Sequence, residues 1–536
     1  MADSAPIPAP DAAAQPRTVA VIEVGTTSIR MAIAEVGVSG SIRVLEALSQ
    51  GVTLGKDSFM RGEIAKPTIE ECVRVLKAYR LKLEEYGIRQ VDQVRVVATS
   101  AVREALNQMA FVDRIYVATG LTVQPIDEAE VHRITYRSIQ PLLAAEPRLT
   151  NSHTIICEVG GGSTELLVVE KGNVRYSHSY RLGSLRLRQS LQGLRTSPAK
   201  TREIIELESH QTLEDLLQYV PQSSGAELLT LGGEMRFVAR QLIPDWKPEI
   251  LGVVSVPKLA RLTDAVLGMS EEAIVRQYHL TLPEAETLAP ALLINLQLAQ
   301  LLSLDHVTVS IANLRDGLLR EMGDQTIWTD DFRNQIIHSA LELGRKYEFD
   351  EAHARHVAEL SQALFAALRE DHGIDARGEL VLYLSALLHE IGGFVSHTSL
   401  HKHSMYLIQN SDLFGLSPAD VLLVALVARY HRRASPKPTH PGFSTLDRDR
   451  RVTVSKLAAI LRIAIALDAS RTQRVRNIAC HRDRSRLIIS VPQMEDLSVE
   501  QLALRQGRSL FEEIYGITVQ LRPEARRESR PSSAQF

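Results

Sequence analysis

One short pattern occurs twice in this chain, and it constrains the possible fold more than any other feature of the sequence. An apolar run leads into Glu-Val-Gly, a small polar turn follows, and a β-rich run completes the unit, first in "VIEVGTTSIRMAIAEV" and again in "ICEVGGGSTELLVVEK". Each copy is typical of a strand–turn–strand hairpin, because turn residues separate two β-rich runs. The repetition predicts a duplicated unit, with two similar α/β domains that face each other.

The segments around these hairpins divide the 536 residues into several domains. "VDQVRVVATSAVREALN" predicts a strand, a turn and a helix, and "GLTVQPIDEAEVHRITYRSI" predicts a strand and a helix. From about residue 328 apolar residues recur with helical spacing, and after about residue 472 short strands surround one helix. The predicted divisions are a disordered tail at 1–17, α/β domains at 18–139 and 140–325, a helical domain at 326–471, a small α+β unit at 472–523 and a disordered tail at 524–536.

Composition excludes several classes of protein. The net charge is −3, so no overall basic field points to nucleic acid as a partner. The sequence has no run of about eighteen apolar residues, and its start lacks the basic and apolar regions of a signal peptide. The widely spaced Cys72, Cys157 and Cys480 fit neither a disulfide framework nor a zinc site. We therefore expect a soluble globular protein of the reducing cytoplasm, with no integral membrane segment.

The second hairpin carries residues suited to phosphate chemistry. Glycine lets a backbone approach a ligand closely, and successive N–H groups in such a turn bind anions, so Gly160–Thr164 predicts a phosphate cradle with two added hydroxyl donors. Glu158 at the strand end is a candidate Mg²⁺ ligand, and Glu165 past the turn is a candidate base for the attacking water. The competing interpretation is a tight hairpin with solvent-facing acids. The copy at Glu23–Ser28 favours a cleft that holds a phosphate chain from both sides.

A set of segments in a fixed order extends through both halves of the chain. The segments are "EVGTTSIRM", "VATSAVREALN", "EVGGGSTELLVVEKGNV", "SYRLGSLRL", "LGGEMRFVAR", "VSIANLRDGLL" and, in the helical half, "LLHEIG", "HTSLHKHSMYLIQNSDLFG" and "LVARYHRR". Together, over about residues 18–520, they resemble the exopolyphosphatase and guanosine pentaphosphate phosphatase (Ppx/GppA) family. The resemblance implies an α/β fold of duplicated actin-like (ASKHA, ribonuclease H-like) domains, followed by an all-α HD-like domain and a small α+β C-terminal unit.

The resemblance also implies an activity and the residues that perform it. Family members use Mg²⁺ to release terminal phosphate from inorganic polyphosphate, or the 5′-phosphate of guanosine pentaphosphate, and a homodimer is implied. Glu165 matches the family's catalytic glutamate, and Glu130 matches a second one within "PIDEAEVHRITY", with Glu128 as the alternative register. Arg103 matches a motif arginine that suits phosphate by its charge and fork geometry. The matches to phosphate-binding loops are Gly25, Thr26, Thr27, Ser28, Gly160, Gly161, Gly162, Ser163, Thr164, Gly232 and Gly233.

Both strand ends depart from the family pattern. The family usually has aspartate where this chain has Glu23 and Glu158, the two candidate metal ligands. The extra methylene moves each carboxylate by about an ångström, and a misplacement of that size can cost about 10²-fold in rate. The paired change indicates either a co-adjusted metal site or a protein that binds the phosphate polymer without cleaving it.

The helical half offers a second candidate site. An HD phosphohydrolase binds metal through His, His-Asp and a later Asp, and the candidate donors here are His353, His356, His389, Glu390, His397, His401, His403, His431 and Asp468. The central pair is His389-Glu390 rather than His-Asp, and the resemblance implies a degenerate, metal-free domain. Basic residues of this half predict a track for a long polyanion, with a solvated charge run as the equal alternative. They are Lys402, Arg429, Arg432 and Arg433.

The preferred interpretation is a Mg²⁺-dependent exopolyphosphatase. Guanosine pentaphosphate 5′-phosphohydrolase shares every motif, and the long helical half favours polyphosphate because a short nucleotide needs no track. A non-catalytic polyphosphate-binding homologue is the alternative from another class. An ATP-dependent kinase on the same fold is disfavoured, because we see no sugar-binding insert and a glutamate after Gly-Gly-Gly-Ser-Thr suits hydrolysis.

Overall fold

The computed structural model describes residues 16–37, 41–191, 197–218, 220, 225–324, 329–432, 434–492, 494 and 496–524. Most of the two predicted tails, 1–17 and 524–536, lies outside these residues, although Arg17 begins the first strand and Glu524 ends the last. The chain divides into two compact units, residues 1–329 and residues 330–536, and buried apolar residues are found in both.

The first sheet of the first unit is built around a largely buried strand, β1. The strand order is β3-β2-β1-β4-β5, with β1 antiparallel to β2 and parallel to β4. Ala20 and Ile22 enter the core on one face of the sheet, and Val19 and Val21 enter the core on the other. A continuous apolar run is required of a strand that is covered on both faces. The strands are β1 (Arg17–Val24), β2 (Ser28–Val36), β3 (Ile42–Gly51), β4 (Val94–Ala98) and β5 (Val123–Pro125).

Helices follow these strands along the chain. They are α1 (Leu54–Arg61), α2 (Lys66–Glu85), α3 (Ser100–Arg103), α4 (Gln108–Thr119), α5 (Glu128–Ala145) and α6 (Pro147–Thr150). Asp127 caps α5, because its side chain accepts a hydrogen bond from the Glu130 N–H. The domain division predicted between residues 139 and 140 falls inside α5, so that position lies within a continuous helix.

The second sheet repeats the strand order of the first. Its order is β10-β11-β9-β6-β7-β8, so β8-β7-β6-β9-β11 corresponds to β3-β2-β1-β4-β5, and β10 is an additional antiparallel edge strand. As in the first sheet, the first strand of the repeat is antiparallel to its hairpin partner and parallel to its other neighbour. The strands are β6 (His153–Val159), β7 (Thr164–Glu170), β8 (Asn173–Tyr180), β9 (Ala226–Leu231), β10 (Gly252–Ser255) and β11 (His306–Val309).

The last helix of this unit returns to the first sheet. The helices around the second sheet are α7 (Ser184–Ser190), α8 (Pro198–Leu213), α9 (Gly233–Leu242), α10 (Val256–Leu267), α11 (Glu271–Tyr278), α12 (Leu282–Leu301) and α13 (Leu314–Asp324). Leu314, Leu318 and Leu319 of α13 share a core cluster with Val19 and Val21 of β1. Residues 314–324, which the predicted division assigns to the second domain, therefore pack on the first sheet.

The second unit is helical over most of its described length. α15 packs against α17 and α20, and α17 packs against α19. The apolar residues of α20 are buried around most of its circumference, as expected of a central helix. The helices are α14 (Asp330–Lys346), α15 (Glu351–Ala367), α16 (Arg369–His372), α17 (Ala376–Leu388), α18 (Leu400–Gln409), α19 (Pro418–Arg429) and α20 (Arg448–Leu467).

A small mixed sheet ends the second unit. β13 lies between β12, which is antiparallel to it, and β14, which is parallel to it. The single helix predicted between these strands is divided at Arg508. The elements are β12 (Ala479–Asp483), β13 (Arg486–Pro492), α21 (Ser498–Gly507), α22 (Ser509–Tyr515) and β14 (Thr518–Glu524).

The helices and the cysteines also bear on the expectations from composition. None of the helices in the described part of the chain combines the length and apolarity that crossing a bilayer requires. All three cysteines are free, and Cys72 and Cys157 are buried.

Candidate active site

A cavity of about 130 Å³ is lined by the turns of the two hairpins in the first unit. The starts of α3, α9 and α13 complete its wall. Most of the predicted site residues line it, namely Glu23, Gly25, Thr26, Thr27, Ser28, Arg103, Glu158, Gly160, Gly161, Ser163, Glu165, Gly232 and Gly233. Gly162, Thr164 and Glu130 are described by the structure but are not among the lining residues.

The two hairpin turns have the same hydrogen bond. In the first turn the Gly25 N–H donates to the Ser28 carbonyl over 3.0 Å. In the second turn the Gly160 N–H donates to the Ser163 carbonyl over 2.8 Å. The repeated sequence pattern therefore folds into a repeated backbone conformation.

Equivalent positions of the two hairpins carry different charges. Glu23 pairs with Arg30 across the first hairpin, and Glu158 pairs with Glu165 across the second. Residues directly opposite each other in a hairpin lie on the same face, and all four side chains line the cavity. The first hairpin thus offers one cation and one carboxylate, whereas the second offers two carboxylates.

The glycine run of the second hairpin is required because the two turns touch. A Cβ atom at Gly161 would lie 2.7 Å from Thr26 Cγ2, and a Cβ atom at Gly162 would lie 2.5 Å from Ser100 Oγ. Non-bonded heavy atoms do not pack this closely, so a larger residue at Gly161 would separate the turns and one at Gly162 would displace α3. Gly162 therefore packs against Phe59 of α1 and Ser100 of α3 and does not line the cavity.

The two hydroxyls predicted to bind phosphate donate elsewhere. Thr164 is fully buried, and its Oγ1 donates to the Leu182 carbonyl. Ser163 Oγ donates to Glu165 Oε1 over 2.7 Å. Because a hydroxyl has a single hydrogen, neither side chain donates to a phosphate in this geometry.

Glu165 is held by hydrogen bonds at both carboxylate oxygens. His132 Nε2 lies 2.8 Å from Oε2, and the hydroxyls of Ser163 and Ser179 donate to Oε1 over 2.7 and 2.9 Å. An ionised carboxylate only accepts, so the His132 Nε2 atom carries the hydrogen. Burial raises the pKa of the Glu165 carboxyl, but these donors, His132 foremost, outweigh burial and hold the pKa below its ordinary value. Glu165 is therefore a fixed anion at neutral pH.

Neither Glu128 nor Glu130 lines the cavity, but Glu128 lies on the same face of α5 as the lining residue Val131. Glu128 and His132 are one helical turn apart and share a face, and Glu128 lies 3.5 Å from Arg103 Nη2. Burial, together with the charge of Glu165, raises the pKa of the Glu128 carboxyl despite the opposing charge of Arg103. Glu130 instead approaches Arg95 at 3.9 Å. The contact of Glu128 with Arg103, which lines the cavity, favours the alternative register, and the role of either glutamate stays a prediction.

Glu23 and Glu158 form a pair of carboxylates suited to a divalent cation. Burial, followed by the negative charge of Glu23, raises the pKa of Glu158 to about 7. The pKa of Glu23 is lowered. Burial alone would raise it, but an ion pair with Arg315 and the charge of Arg30 outweigh the effect of burial. Mg²⁺ is usually held by one or two carboxylates and substrate phosphates, and a cation would relieve the repulsion between the pair. The two carboxylates therefore fit Mg²⁺, with Glu158 as the main ligand and Glu23 also paired with Arg315.

Three further arginines, which have no predicted role, line the cavity. They are Arg30 of β2, Arg236 of α9 and Arg315 of α13. The buried Nη1 atom of Arg236 has no hydrogen-bond partner among the described residues, and the same is true of Ser28 Oγ. Unpaired buried donors are costly, and a phosphate oxygen would satisfy both. Arg236 and Arg315 lie in the quoted segments "LGGEMRFVAR" and "VSIANLRDGLL", so the signal was present in the sequence.

The start of α9 adds backbone donors to the cavity. Gly232 has a φ of 99°, a conformation that favours glycine, and Gly233 begins the helix. The first N–H groups of a helix have no partner within the helix and attract anions. Both glycines line the cavity, as the sequence predicted.

The predicted basic track is described in part. Lys402 and Arg432 are exposed, Arg429 is half-buried, and Arg433 lies outside the described residues. Burial and the charges of these three basic residues lower the pKa of His401, so the group is clustered around that ring. None of the ion pairs found in the described part of the chain involves Lys402, Arg429 or Arg432.

Two family models match the chain in succession. The Ppx/GppA phosphatase family matches residues 32–326, and Ppx/GppA phosphatase, domain III, matches residues 337–505. The chain belongs to the Ppx/GppA phosphatase family. As a Ppx/GppA phosphatase it is a hydrolase that acts on phosphoanhydride bonds.

Individual relatives agree with this family. A guanosine-5′-triphosphate,3′-diphosphate pyrophosphatase of Aliivibrio fischeri is 24% identical over 443 residues, which cover 82% of this chain and 86% of that relative. An exopolyphosphatase from Cytophaga hutchinsonii has a TM-score of 0.53 at 22% identity and covers 58% of this chain and 100% of its own. An exopolyphosphatase-like protein has a TM-score of 0.51 at 20% identity, and the match covers 57% of this chain and 98% of that protein.

The structural likenesses and the two mixed sheets show the actin-like fold expected of a Ppx/GppA phosphatase. Three expectations stay predictions. They are the HD-like nature of the helical part, the small C-terminal α+β unit as a separate domain, and the roles assigned to individual residues. In the Ppx/GppA phosphatase described here, the cleft combines a fixed carboxylate, a candidate cation pair and unpaired donors in one cavity.

Proposed function

We propose that this protein is a Mg²⁺-dependent exopolyphosphatase that releases terminal phosphate from inorganic polyphosphate. The observation that carries the proposal is the composition of the cavity wall. Arginines, glycine turns and carboxylates line it, and none of its described lining residues is aromatic. A wall of this kind has donors for phosphate oxygens but no ring on which a nucleobase would stack, and polyphosphate presents phosphate alone.

The donors of the cleft hold the terminal phosphate. The free Nη1 of Arg236 and the hydroxyl of Ser28 have unpaired hydrogen-bonding capacity. Backbone N–H groups of both turns and of the start of α9 surround the same cavity. Arg103 is fixed by the Ile126 carbonyl at 3.2 Å and adds positive charge at the rim. Charge-assisted hydrogen bonds of this kind stabilise the charge that spreads over the equatorial oxygens during phosphoryl transfer.

Glu165 orients the attacking water. Water attacks the terminal phosphorus, the bridging P–O bond breaks, and orthophosphate and a chain shortened by one unit leave. Phosphoryl transfer passes through a loose transition state, so correct positioning of the water contributes more than a strongly basic acceptor. A carboxylate fixed by His132, Ser163 and Ser179 supplies that positioning. Glu128, whose pKa is raised, is the second carboxylate able to take up the proton.

Mg²⁺ would be held by Glu158 and Glu23. When bound, it supplies positive charge that neutralises the phosphate oxygens. Because Glu23 is also paired with Arg315, the longer glutamate side chains are consistent with a co-adjusted site in which one carboxylate serves both cations.

The basic residues of the helical unit favour a long substrate. Lys402, Arg429 and Arg432 form a cluster of positive charge without acidic partners among the described ion pairs. A polymer with about one negative charge per phosphate gains affinity from such a cluster through counterion release.

Guanosine pentaphosphate is the second candidate substrate. The observation in its favour is the relative of Aliivibrio fischeri, which is matched over 82% of this chain. The terminal phosphate is common to both molecules, so they differ in the nucleoside, for which none of the described lining residues offers an aromatic ring.

Phosphate release measured side by side distinguishes the candidates. Purified full-length protein is given long-chain polyphosphate or guanosine pentaphosphate, with Mg²⁺ or with a chelator. We expect Mg²⁺-dependent release with a higher kcat/KM for polyphosphate. A higher kcat/KM for guanosine pentaphosphate would select the second candidate, and folded protein that binds polyphosphate without release from either would support a binding protein. Light scattering and fractionation of cells test the predicted homodimer and cytoplasmic location.

A further inference from the structure

Three metal-ligating side chains converge inside the helical unit, and none of them belongs to the cleft. They are His353 of α15, His389 directly after α17, and Glu390. One donor atom of each lies within 4.8 Å of the others, and this is the only such group found among the described residues. The proposed phosphatase mechanism uses none of these side chains.

His353 presents an unpartnered ring nitrogen to this cluster. The side chain is almost fully buried, and its Nδ1 atom lies 2.7 Å from Asp468 Oδ2. The carboxylate accepts, so Nδ1 carries the hydrogen and Nε2 has a lone pair. Nε2 is buried and has no hydrogen-bond partner among the residues that the structure describes. A carboxylate behind a histidine in this way orients the ring and fixes the tautomer of metal ligands.

His389 repeats this arrangement with a backbone acceptor. It is only 1% exposed, and its Nδ1 donates to the Ala386 carbonyl over 2.7 Å. Its Nε2 is also buried, and no described residue forms a hydrogen bond with it. The ring centroids of His353 and His389 are 5.6 Å apart. Leaving two buried acceptors without a partner is costly, and a bound cation would satisfy both.

Glu390 supplies the anionic donor and is held in place. Arg471 Nη2 lies 2.6 and 2.7 Å from its two oxygens, and His389 Nε2 lies 4.0 Å from Oε1. A carboxylate offers about four lone-pair positions, so Glu390 can accept from Arg471 and still bind a metal. The His431 ring lies 5.1 Å from that of His389, and its Nδ1 likewise donates to a backbone carbonyl, that of Ala428.

We propose that His353 Nε2, His389 Nε2 and Glu390 bind one divalent transition-metal ion of the Zn²⁺ class. Imidazole is a preferred ligand of such ions, whereas Mg²⁺ prefers oxygen. Two imidazoles and one carboxylate leave a fourth position open, as in zinc sites that keep an exchangeable ligand. This site is separate from the Mg²⁺ pair in the cleft and does not depend on the proposed polyphosphate activity.

Cobalt binding tests this site without reference to activity. Full-length protein without an affinity tag is freed of metal with a chelator and titrated with Co²⁺, whose visible absorption reports imidazole ligation. We expect one Co²⁺ per chain, displaced by Zn²⁺ and not by Mg²⁺. His389→Ala and Glu390→Gln should each abolish the absorption, and Asp468→Asn should weaken binding by about 10- to 100-fold. His397→Ala, at an exposed histidine outside the cluster, should bind as the wild type does.

Several outcomes would overturn the proposal. The wild type could show no visible absorption, or the absorption could survive in both His389→Ala and Glu390→Gln. The absorption could also be lost to the same extent in His397→Ala. Circular dichroism checks the fold of each variant. If His389→Ala does not fold, Glu390→Gln decides alone, because its partly exposed side chain makes folding of the variant less sensitive to the change.

Discussion

The Nε2 atom of His132 lies 2.8 Å from Oε2 of Glu165. This contact joins α5 to β7 and gives the carboxylate a donor that its own hairpin does not supply. Ser163 and Ser179 occupy the other oxygen, so neither oxygen can turn away from the cavity without losing a hydrogen bond. The orientation of Glu165 is therefore fixed before substrate binds, which is what positioning of a water molecule requires.

Removing the His132 donor should lower kcat more than it changes KM. His132→Leu loses the hydrogen bond to Glu165, and a carboxylate misplaced by about 1 Å can cost about 10²-fold in rate. His132→Gln retains an N–H donor and should recover part of the loss. Steady-state phosphate release measures both parameters. The control is His153→Leu, at the start of β6 and outside the cavity lining. A role for His132 in positioning is contradicted if the Leu and Gln variants are equally impaired.

A matched pair of substitutions decides which glutamate of α5 acts in the cleft. Glu128 faces Arg103 and Glu165, whereas Glu130 faces Arg95. Glu128→Gln should lower kcat/KM by about 10²-fold, the usual contribution of a group that transfers a proton. Glu130→Gln should stay within about threefold of wild type, since this carboxylate approaches Arg95 and not the lining residue Arg103. The opposite ranking would support Glu130, the register that the sequence motif favoured.

The sequence predicted the parts of the site that are local in the chain. The two hairpins and their glycine turns were found because each is a short run with turn chemistry, whereas the Gly232-Gly233 turn was found through the family resemblance. The glycine run could be recognised without the structure, but its contact with Thr26 could not, because a strand pattern does not show which turns will touch.

What the sequence could not predict depends on non-local geometry. Glu23 and Arg315 pair across a separation of 292 residues, because α13 returns to the first sheet. The face of α5 that meets the cleft decides between Glu128 and Glu130, and a helix pattern with acids at both positions does not fix that face. Thr164 was expected to bind phosphate, but the register of the hairpin turns its hydroxyl toward the Leu182 carbonyl.

The basic cluster of the helical unit should act on long substrates alone. Lys402→Gln combined with Arg432→Gln removes two exposed charges, so KM for long-chain polyphosphate should rise about tenfold at low salt and its dependence on salt should weaken. Turnover of tripolyphosphate should not change. The control is Arg484→Gln with Arg505→Gln, two exposed basic residues of the C-terminal unit. Equal effects on long and short chains would contradict a track.

Glu500 should make the second unit sensitive to acid. Arg474 donates to both oxygens of this buried carboxylate over 3.1 and 2.6 Å. Burial raises the pKa of Glu500, but Arg474 outweighs it and holds the pKa below its ordinary value of 4.5. A lowered pKa adds stability above the unfolded value, and this stability is lost as the pH falls below about 4.5.

Substitution of Glu500 tests that linkage. Glu500→Gln should cost about 2 kcal/mol of unfolding free energy at pH 7, and much less at pH 3, where the wild type has lost the same contribution. Urea unfolding of the full chain at both pH values measures the difference. Glu370→Gln, at an exposed acid of α16, should have no effect at either pH. A constant deficit for Glu500→Gln across the range would contradict the role of its ionisation.

Comparing phosphate release by Glu165→Gln and by the wild type tests the central claim of the proposed function. The amide keeps the shape of the side chain but carries no charge, so phosphate release from polyphosphate should fall by about 10²- to 10⁴-fold while polyphosphate binding stays within about twofold. Glu170→Gln, at the end of the same strand, is the matched control and should turn over as the wild type does. Normal turnover by Glu165→Gln would show that this carboxylate does not position the water and that the proposed chemistry of the cleft is wrong.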